Sequence, residues 1–270
     1  MSHSITSNTA SIVSVTREPY GYIDLLIKEP FIAEHTGPGQ FVMLKAEKTN
    51  DPILPRPFDI VDADPQTGCF RLLIKITGRG TALMNDLQPG DTVQVTGPCG
   101  KPVTDFNFSS CAVLFRGCGA AAVLLFIKEA KKRGITVYGI ASAASEDKLI
   151  CRHDITSLCD EYLIATDDGS AGLQALGTDV LKNIVESEKI ERIYSCGGGP
   201  FYLPYLLEAQ DKLPVYLFLE SYMACGVGNC HGCAVPRKSK PGDPRSYTLV
   251  CQEGPLFKLD EVEDVCQIYQ

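Results

Sequence analysis

Three cysteines, Cys225, Cys230 and Cys233, stand at the spacing C-x4-C-x2-C in a glycine-rich run, and Cys251 follows after a gap. This is the plant-type ligand pattern of a 2Fe-2S cluster. Two bridged irons need thiolates from several directions, so the backbone must wrap closely around them. Gly226, Gly228 and Gly232 permit that, because glycine accepts positive φ and close approach. The wrapped amides then point at sulfur and help to set the reduction potential. A structural zinc site also uses four cysteines, usually as two separated pairs, and stays open as an alternative.

The rest of the chain must support that loop. At 270 residues and 44% apolar content, about two domains with real cores are expected. A net charge of -8 argues against nucleic acid as a partner. Twelve cysteines would suit a disulfide scaffold only in a short exported chain, and the first ten residues have neither a basic start nor an apolar core. A reducing cytoplasm is the expected setting. The longest apolar stretch, residues 111–127, is broken by Arg116 and two glycines, so it reads as strand, turn and helix and not as a membrane span.

Residues 12–15, 22–27, 40–44, 58–61, 69–76 and 92–96 read as short strands between turn signals such as Gly37-Pro38-Gly39 and Pro89-Gly90-Asp91. About six strands at that spacing predict a small antiparallel barrel. Beyond Phe108 the rhythm lengthens. Strands at 111–116, 136–141, 161–165 and 192–196 alternate with helices at 120–133, 178–187 and 201–209, which implies a parallel sheet with crossover helices. Such sheets bind ligands at the carboxyl ends of their strands. A further strand at 214–220 leads into the cysteine loop. The expected division is a barrel over 1–105, an α/β unit over 106–212 and a cluster segment over 213–270. The last is too short for its own core, and the cluster itself is expected to hold it together.

A barrel, an α/β unit and a plant-type cluster segment in that order resemble the ferredoxin-reductase superfamily. Within it, the chain is most similar to the electron-transfer subunits of two-subunit, NAD-linked dihydroorotate dehydrogenases. The residues that carry the resemblance are Leu54-Pro55-Arg56-Pro57-Phe58-Asp59-Ile60, Gly78-Arg79-Gly80-Thr81, the run from Leu219 to Cys233, and Val250 to Phe257.

The resemblance implies FAD in the barrel, held by Arg56, Pro57, Phe58, Asp59, Leu73, Ile74, Lys75, Gly80 and Thr81. Arg56 would face the pyrophosphate, and a guanidinium fork suits that task. Thr81 would cap a short helix over 82–87 whose amides cradle the same phosphates. Asp59 stands where the family usually has a serine facing the flavin. The resemblance also implies NAD(H) as substrate, at Gly117, Gly119, Cys196 and Gly197. Here Ala121 narrows the usual glycine turn and Gly198 is expected to loosen the second one. A sheet-and-helix module whose glycines only turn corners remains the alternative.

An FMN-containing catalytic subunit in a heterotetramer, two of each, is the implied partner. No residue is assigned a catalytic role on dihydroorotate itself. The same module could serve another complex, such as the diaphorase subunit of a hydrogenase or a transhydrogenase-like flavoprotein, or act as a redox sensor or docking scaffold. Cys69, Cys99, Cys111, Cys118, Cys151, Cys159 and Cys266 read as small buried hydrophobes. His231 reads as a solvent-facing spacer, and Asp167, Asp168, Glu261, Glu263 and Asp264 as solvated charge.

Overall fold

The computed structural model describes residues 4–46, 51–239 and 244–263, so Asp264 and Cys266 lie outside the described residues. Six strands close an antiparallel barrel: β1 (Thr6–Glu18), β2 (Tyr22–Lys28), β3 (Phe41–Ala46), β4 (Arg56–Asp64), β5 (Cys69–Lys75) and β6 (Thr92–Cys99), in the order β1-β2-β5-β4-β3-β6. Alternation along β5 explains its two faces. Phe70, Leu72 and Ile74 point into the barrel core, while Arg71, Leu73 and Lys75 are half-buried or exposed on the outside. Two short helices interrupt the barrel, α1 (Pro30–His35) and α2 (Arg79–Asn85). No apolar periodicity marks α1 in the sequence.

The second layer is a seven-stranded sheet. Its strands are β7 (Ser110–Arg116), β8 (Thr136–Ala143), β9 (Glu161–Thr166), β10 (Leu173–Gln174), β11 (Arg192–Cys196), β12 (Val215–Phe218) and, far along the chain, β15 (Leu256–Lys258). The order is β10-β9-β8-β7-β11-β12-β15, parallel throughout except for the antiparallel β12–β15 pair. Helix α3 (Gly119–Lys132) covers one face with α4 (Arg152–Leu158), and α5 (Gly177–Ser187) and α6 (Gly199–Ala209) cover the other. Sequence order reverses between β7 and β11, which makes their carboxyl ends the topological switch point.

The cluster segment contains β13 (Ala234–Pro236), β14 (Tyr247–Leu249) and the one-turn α7 (Val250–Glu253). Its side chains do not wait for a cluster to hold them. Cys233, Val235, Leu249, Val250, Cys251, Phe257, Leu259 and Val262 pack into the same core as Leu114, Ile193 and Leu217 of the sheet. Backbone bonds also tie it to the barrel exit: Gly100 N donates to Cys251 O at 3.1 Å and Lys101 N to Gly254 O at 2.6 Å. Burial was sufficient because the segment borrows the sheet's core instead of building one.

Candidate functional site

The cysteine loop leaves the carboxyl end of β12 and turns back over the barrel. Its close contact is at Gly226, φ 71°, where a Cβ would fall 2.3 Å from Met43 Cγ and 3.3 Å from Cys99 Sγ. Cys99 is therefore buried as expected, but beneath the cysteine loop, and burial pushes its thiol up to about 12.

The four sulfurs fall into two groups. Cys233 Sγ and Cys251 Sγ are 3.2 Å apart in the core, while Cys225 and the exposed Cys230 lie on the loop's outer side, with Cys230 N donating to Cys225 Sγ at 3.4 Å. Amides converge on the sulfurs: Val227 N on Cys225 at 3.5 Å, Gly228 N on Cys251 at 3.2 Å, and Gly232 N on Cys230 at 3.4 Å. Burial raises the Cys225 thiol, but the amides of Val227 and Cys230 outweigh it and hold it at about 7. The hydrogen bond with Cys251 lets Cys233 ionise at about 6 and makes Cys251 correspondingly hard to ionise. Among the described residues no three His, Cys, Asp or Glu side chains are arranged to hold a single metal ion. Two sulfur pairs fed by amides fit a binuclear cluster better than one tetrahedral zinc. His231, between two of these cysteines, is exposed at φ 57° as a spacer.

A cleft of about 350 Å³ opens between barrel and sheet, lined by Arg56, Pro57, Phe58, Asp59, Leu73, Lys75, Thr77, Gly78, Arg79, Gly80, Thr81, Cys118, Ala121 and Glu220. Of the barrel residues expected to hold a cofactor, Ile74 is the exception, because its side chain belongs to the barrel core. At one end of the cleft the guanidinium of Arg56 lies against Gly80, whose missing Cβ would otherwise sit 3.3 Å from Arg56 Nε. Helix α2 begins three residues earlier than expected, at Arg79. Thr81 is thus inside its first turn, and its hydroxyl accepts from Thr77 N at 2.9 Å and Gly78 N at 3.1 Å. That bond fixes the approach to the helix. Cationic side chains beside first-turn amides suit a diphosphate.

The other end is acidic. Asp59 is half-buried on β4, and burial, with Glu220 nearby adding to it, pushes its carboxyl up to about 7. Glu220 is exposed toward the cleft mouth, yet enough protein surrounds its carboxyl for burial to raise it too. Cys118, exposed at the start of α3, is pushed up to about 11 by burial, with Glu220 and Asp59 next in effect. Glu220 escaped sequence reasoning because it reads as the end of a strand. Its position directly before the cysteine loop was the available signal.

The two expected nucleotide turns meet at the switch point. Gly119 packs onto the end of β11, where a Cβ would fall 2.5 Å from Cys196 O, and the Cys196 side chain is buried in the sheet. Gly117 and Gly197 take positive φ, and Gly117 alone of these faces open space. Gly198 does not loosen its turn: a Cβ there would fall 2.3 Å from the Tyr202 ring. Asp167 is not merely solvated charge either. It accepts from Arg116 at 2.6 Å, and Arg116 also donates to Ser142 at 2.9 Å and lies over Phe201, tying the carboxyl ends of β7, β8 and β9 together. Cys69 and Cys111 are buried, whereas Cys151 and Cys159 are only partly so and Cys118 is exposed.

Comparison with known proteins gives two family matches. A profile for the iron-sulfur cluster binding domain of dihydroorotate dehydrogenase B covers residues 220–263, and one for the oxidoreductase FAD-binding domain covers 33–103. The dihydroorotate dehydrogenase B (NAD(+)) electron transfer subunit of Bacillus caldolyticus is 34% identical over 242 residues, spanning 88% of this chain and 91% of the relative. That of Fusobacterium nucleatum is 30% identical over 256 residues, 93% of this chain and 95% of the relative. Among solved structures, that of NADH-dependent reduced ferredoxin-NADP oxidoreductase superposes with a TM-score of 0.84 at 26% identity, over 97% of this chain and 91% of the other. The ferredoxin reductase of carbazole 1,9a-dioxygenase shares the fold, with a TM-score of 0.67 at 18% identity over 80% and 70%.

Proposed function

The chain belongs to the family of dihydroorotate dehydrogenase B electron transfer subunits, and from that premise we propose which of its residues carry the electrons. It is an oxidoreductase subunit with an FAD-binding and an iron-sulfur-binding region. Cys225, Cys230, Cys233 and Cys251 hold a 2Fe-2S cluster, and the cleft between barrel and sheet holds FAD. The observation that carries this reading is a shared wall. Glu220 lines the cleft and leads directly into the cysteine loop, and Gly226 of that loop lies on Met43 of the barrel.

FAD, when bound, accepts an electron pair from NADH and releases electrons singly, which is what an iron-sulfur cluster can take. The chain supplies the geometry. Arg56 and the first turn of α2 bind the diphosphate. Phe58, Leu73 and Lys75 line the cofactor's flank. The turns at Gly117, Gly119, Cys196 and Gly197 admit the nicotinamide dinucleotide, while the buried Cys233 and Cys251 anchor the inner side of the cluster.

The relatives are electron transfer subunits of a dihydroorotate dehydrogenase, which implies a catalytic partner. That partner is an FMN-containing subunit, two of each forming the enzyme, in the cytoplasm and in pyrimidine biosynthesis. Among the described residues no helix is long and apolar enough to cross a membrane. The exposed ring of Tyr222 and the exposed Cys230 face the partner.

An anaerobic visible spectrum of the purified chain before and after NADH tests this reading. Flavin and iron-sulfur bands that both bleach are expected. A colourless preparation, or bands that NADH leaves unchanged, would overturn it.

A further inference from the structure

We propose that Met43 and Cys99 are positioning residues for electron transfer: together they seat the cysteine loop on the barrel and fix its spacing from the cofactor motif on β4. The assignment rests on the reading of the cleft as the FAD site and of the four cysteines as the cluster site.

Strand β3 is where the two sites meet, because its side chains alternate between two cores. Val42 and Leu44 point into the barrel. Phe41 and Met43 point out of it and join Cys99 in the core that also holds Cys233, Val235, Val250 and Cys251. Along its edge β3 pairs with β4, setting Phe41 opposite Asp59, Val42 opposite Phe58, Met43 opposite Pro57 and Leu44 opposite Arg56. Paired strands lie about 5 Å apart. One ladder step therefore separates Met43 from the middle of the Arg56–Asp59 motif.

On its other side Met43 meets the cysteine loop. Gly226 directly follows Cys225, and a Cβ there would fall 3.0 Å from Met43 Sδ and 3.3 Å from Cys99 Sγ. Met43 is 1% exposed and Cys99 fully buried, so the loop rests on both side chains inside a packed core. Cys99 is itself held in place. Its thiol donates to Thr96 O at 3.4 Å, and Gly100 N, next along the chain, donates to Cys251 O at 3.1 Å. The seat thus touches the segment at two places, beside Cys225 and at Cys251.

A loop with three glycines among its cysteines does not hold a fixed spacing by itself. The unbranched thioether of Met43 fills the irregular gap beneath it. The step so served moves one electron at a time, from reduced FAD to one ferric iron, which becomes ferrous. The second electron follows when the cluster has passed the first to the partner. Close packing makes the spacing sensitive to a change of a few atoms.

Anaerobic stopped-flow mixing of the full chain with NADH, following flavin and iron-sulfur bleaching separately, tests this beside EPR spectra of the reduced cluster. Met43→Ala should slow the iron-sulfur phase by at least about tenfold, the scale on which small misplacements cost rate. Its flavin phase and its iron and flavin per chain should match the parent, and its EPR lines should broaden as the loop samples several positions. Met43→Leu keeps the volume and should restore rate and line width. Cys99→Ala removes a single atom and should act in the same direction, by less. An iron-sulfur phase in Met43→Ala as fast as in the parent overturns the proposal. So does a Met43→Leu protein as slow as Met43→Ala, because spacing is then not what Met43 supplies. Should Met43→Ala lose its cluster, Cys99→Ala decides, and a parent-like rate and line width there overturn the seat. A parent chain without flavin or without cluster overturns the site readings themselves, and the seat with them.

Discussion

The sulfurs of Cys233 and Cys251 lie 3.2 Å apart although 18 positions separate them in the sequence. Two strands and the one-turn α7 bring them together, so the pair is built by the fold of the segment before any iron arrives. Cys251→Ser should therefore lower iron per chain by at least about tenfold, as expected where several ligands bind cooperatively, while flavin absorbance remains. Cys69→Ser, a buried thiol of the barrel, should leave iron unchanged. Metal analysis beside a visible spectrum decides both.

Gly226 joins a positive φ to contact with Met43. Gly226→Ala should cost about 1–3 kcal/mol from backbone conformation alone, with a further penalty where the Cβ meets Met43. Thermal melts should show the loss, and iron content should fall with it. Adding Met43→Ala should recover the contact penalty but not the conformational one, giving partial rescue.

Arg56 is placed to grip a diphosphate with a planar fork against Gly80. Arg56→Ala should weaken FAD binding by about 10- to 100-fold, the scale of one lost charge-assisted contact. Arg56→Lys should restore only part, because an ammonium cannot make the bidentate contact. Titration of flavin-free protein with FAD measures each.

Asp59 imposes a pH dependence on folding. In the flavin-free chain its carboxyl titrates near 7 instead of at its ordinary 3.8, so between those values the folded state keeps a proton that the unfolded state has lost. Stability conferred by the neutral form is full below the lower value and is lost as pH rises through the higher one. Asp59→Asn removes the dependence. At pH 8 the variant should be the more stable by at least about 1 kcal/mol, a figure well below the full shift because water reaches the cleft. At pH 4 the two proteins should melt alike.

Much of this architecture was legible because its signals are local. Alternating apolar residues such as Phe70, Leu72 and Ile74 marked a barrel strand, and the C-x4-C-x2-C spacing marked the metal loop. What escaped depends on tertiary pairing. β15 is three residues long, and only the waiting edge of β12 makes it a strand. Glu220 is one carboxylate among many until the fold brings it into the same cleft as Asp59. Gly198 looked like slack because nothing in the sequence places the Tyr202 ring over it. Helix α2 began early because Thr81 turns its hydroxyl back toward Gly78, a choice that spacing leaves open.

The position of β15 also protects the sheet. Without β15 the sheet would end in a bare β12 edge, with unpaired backbone groups open to chance association. The strand that covers this edge emerges after all four cluster cysteines. One short segment thus completes the cysteine set and shields the sheet, so a change that unseats β15 bares backbone beside the metal loop.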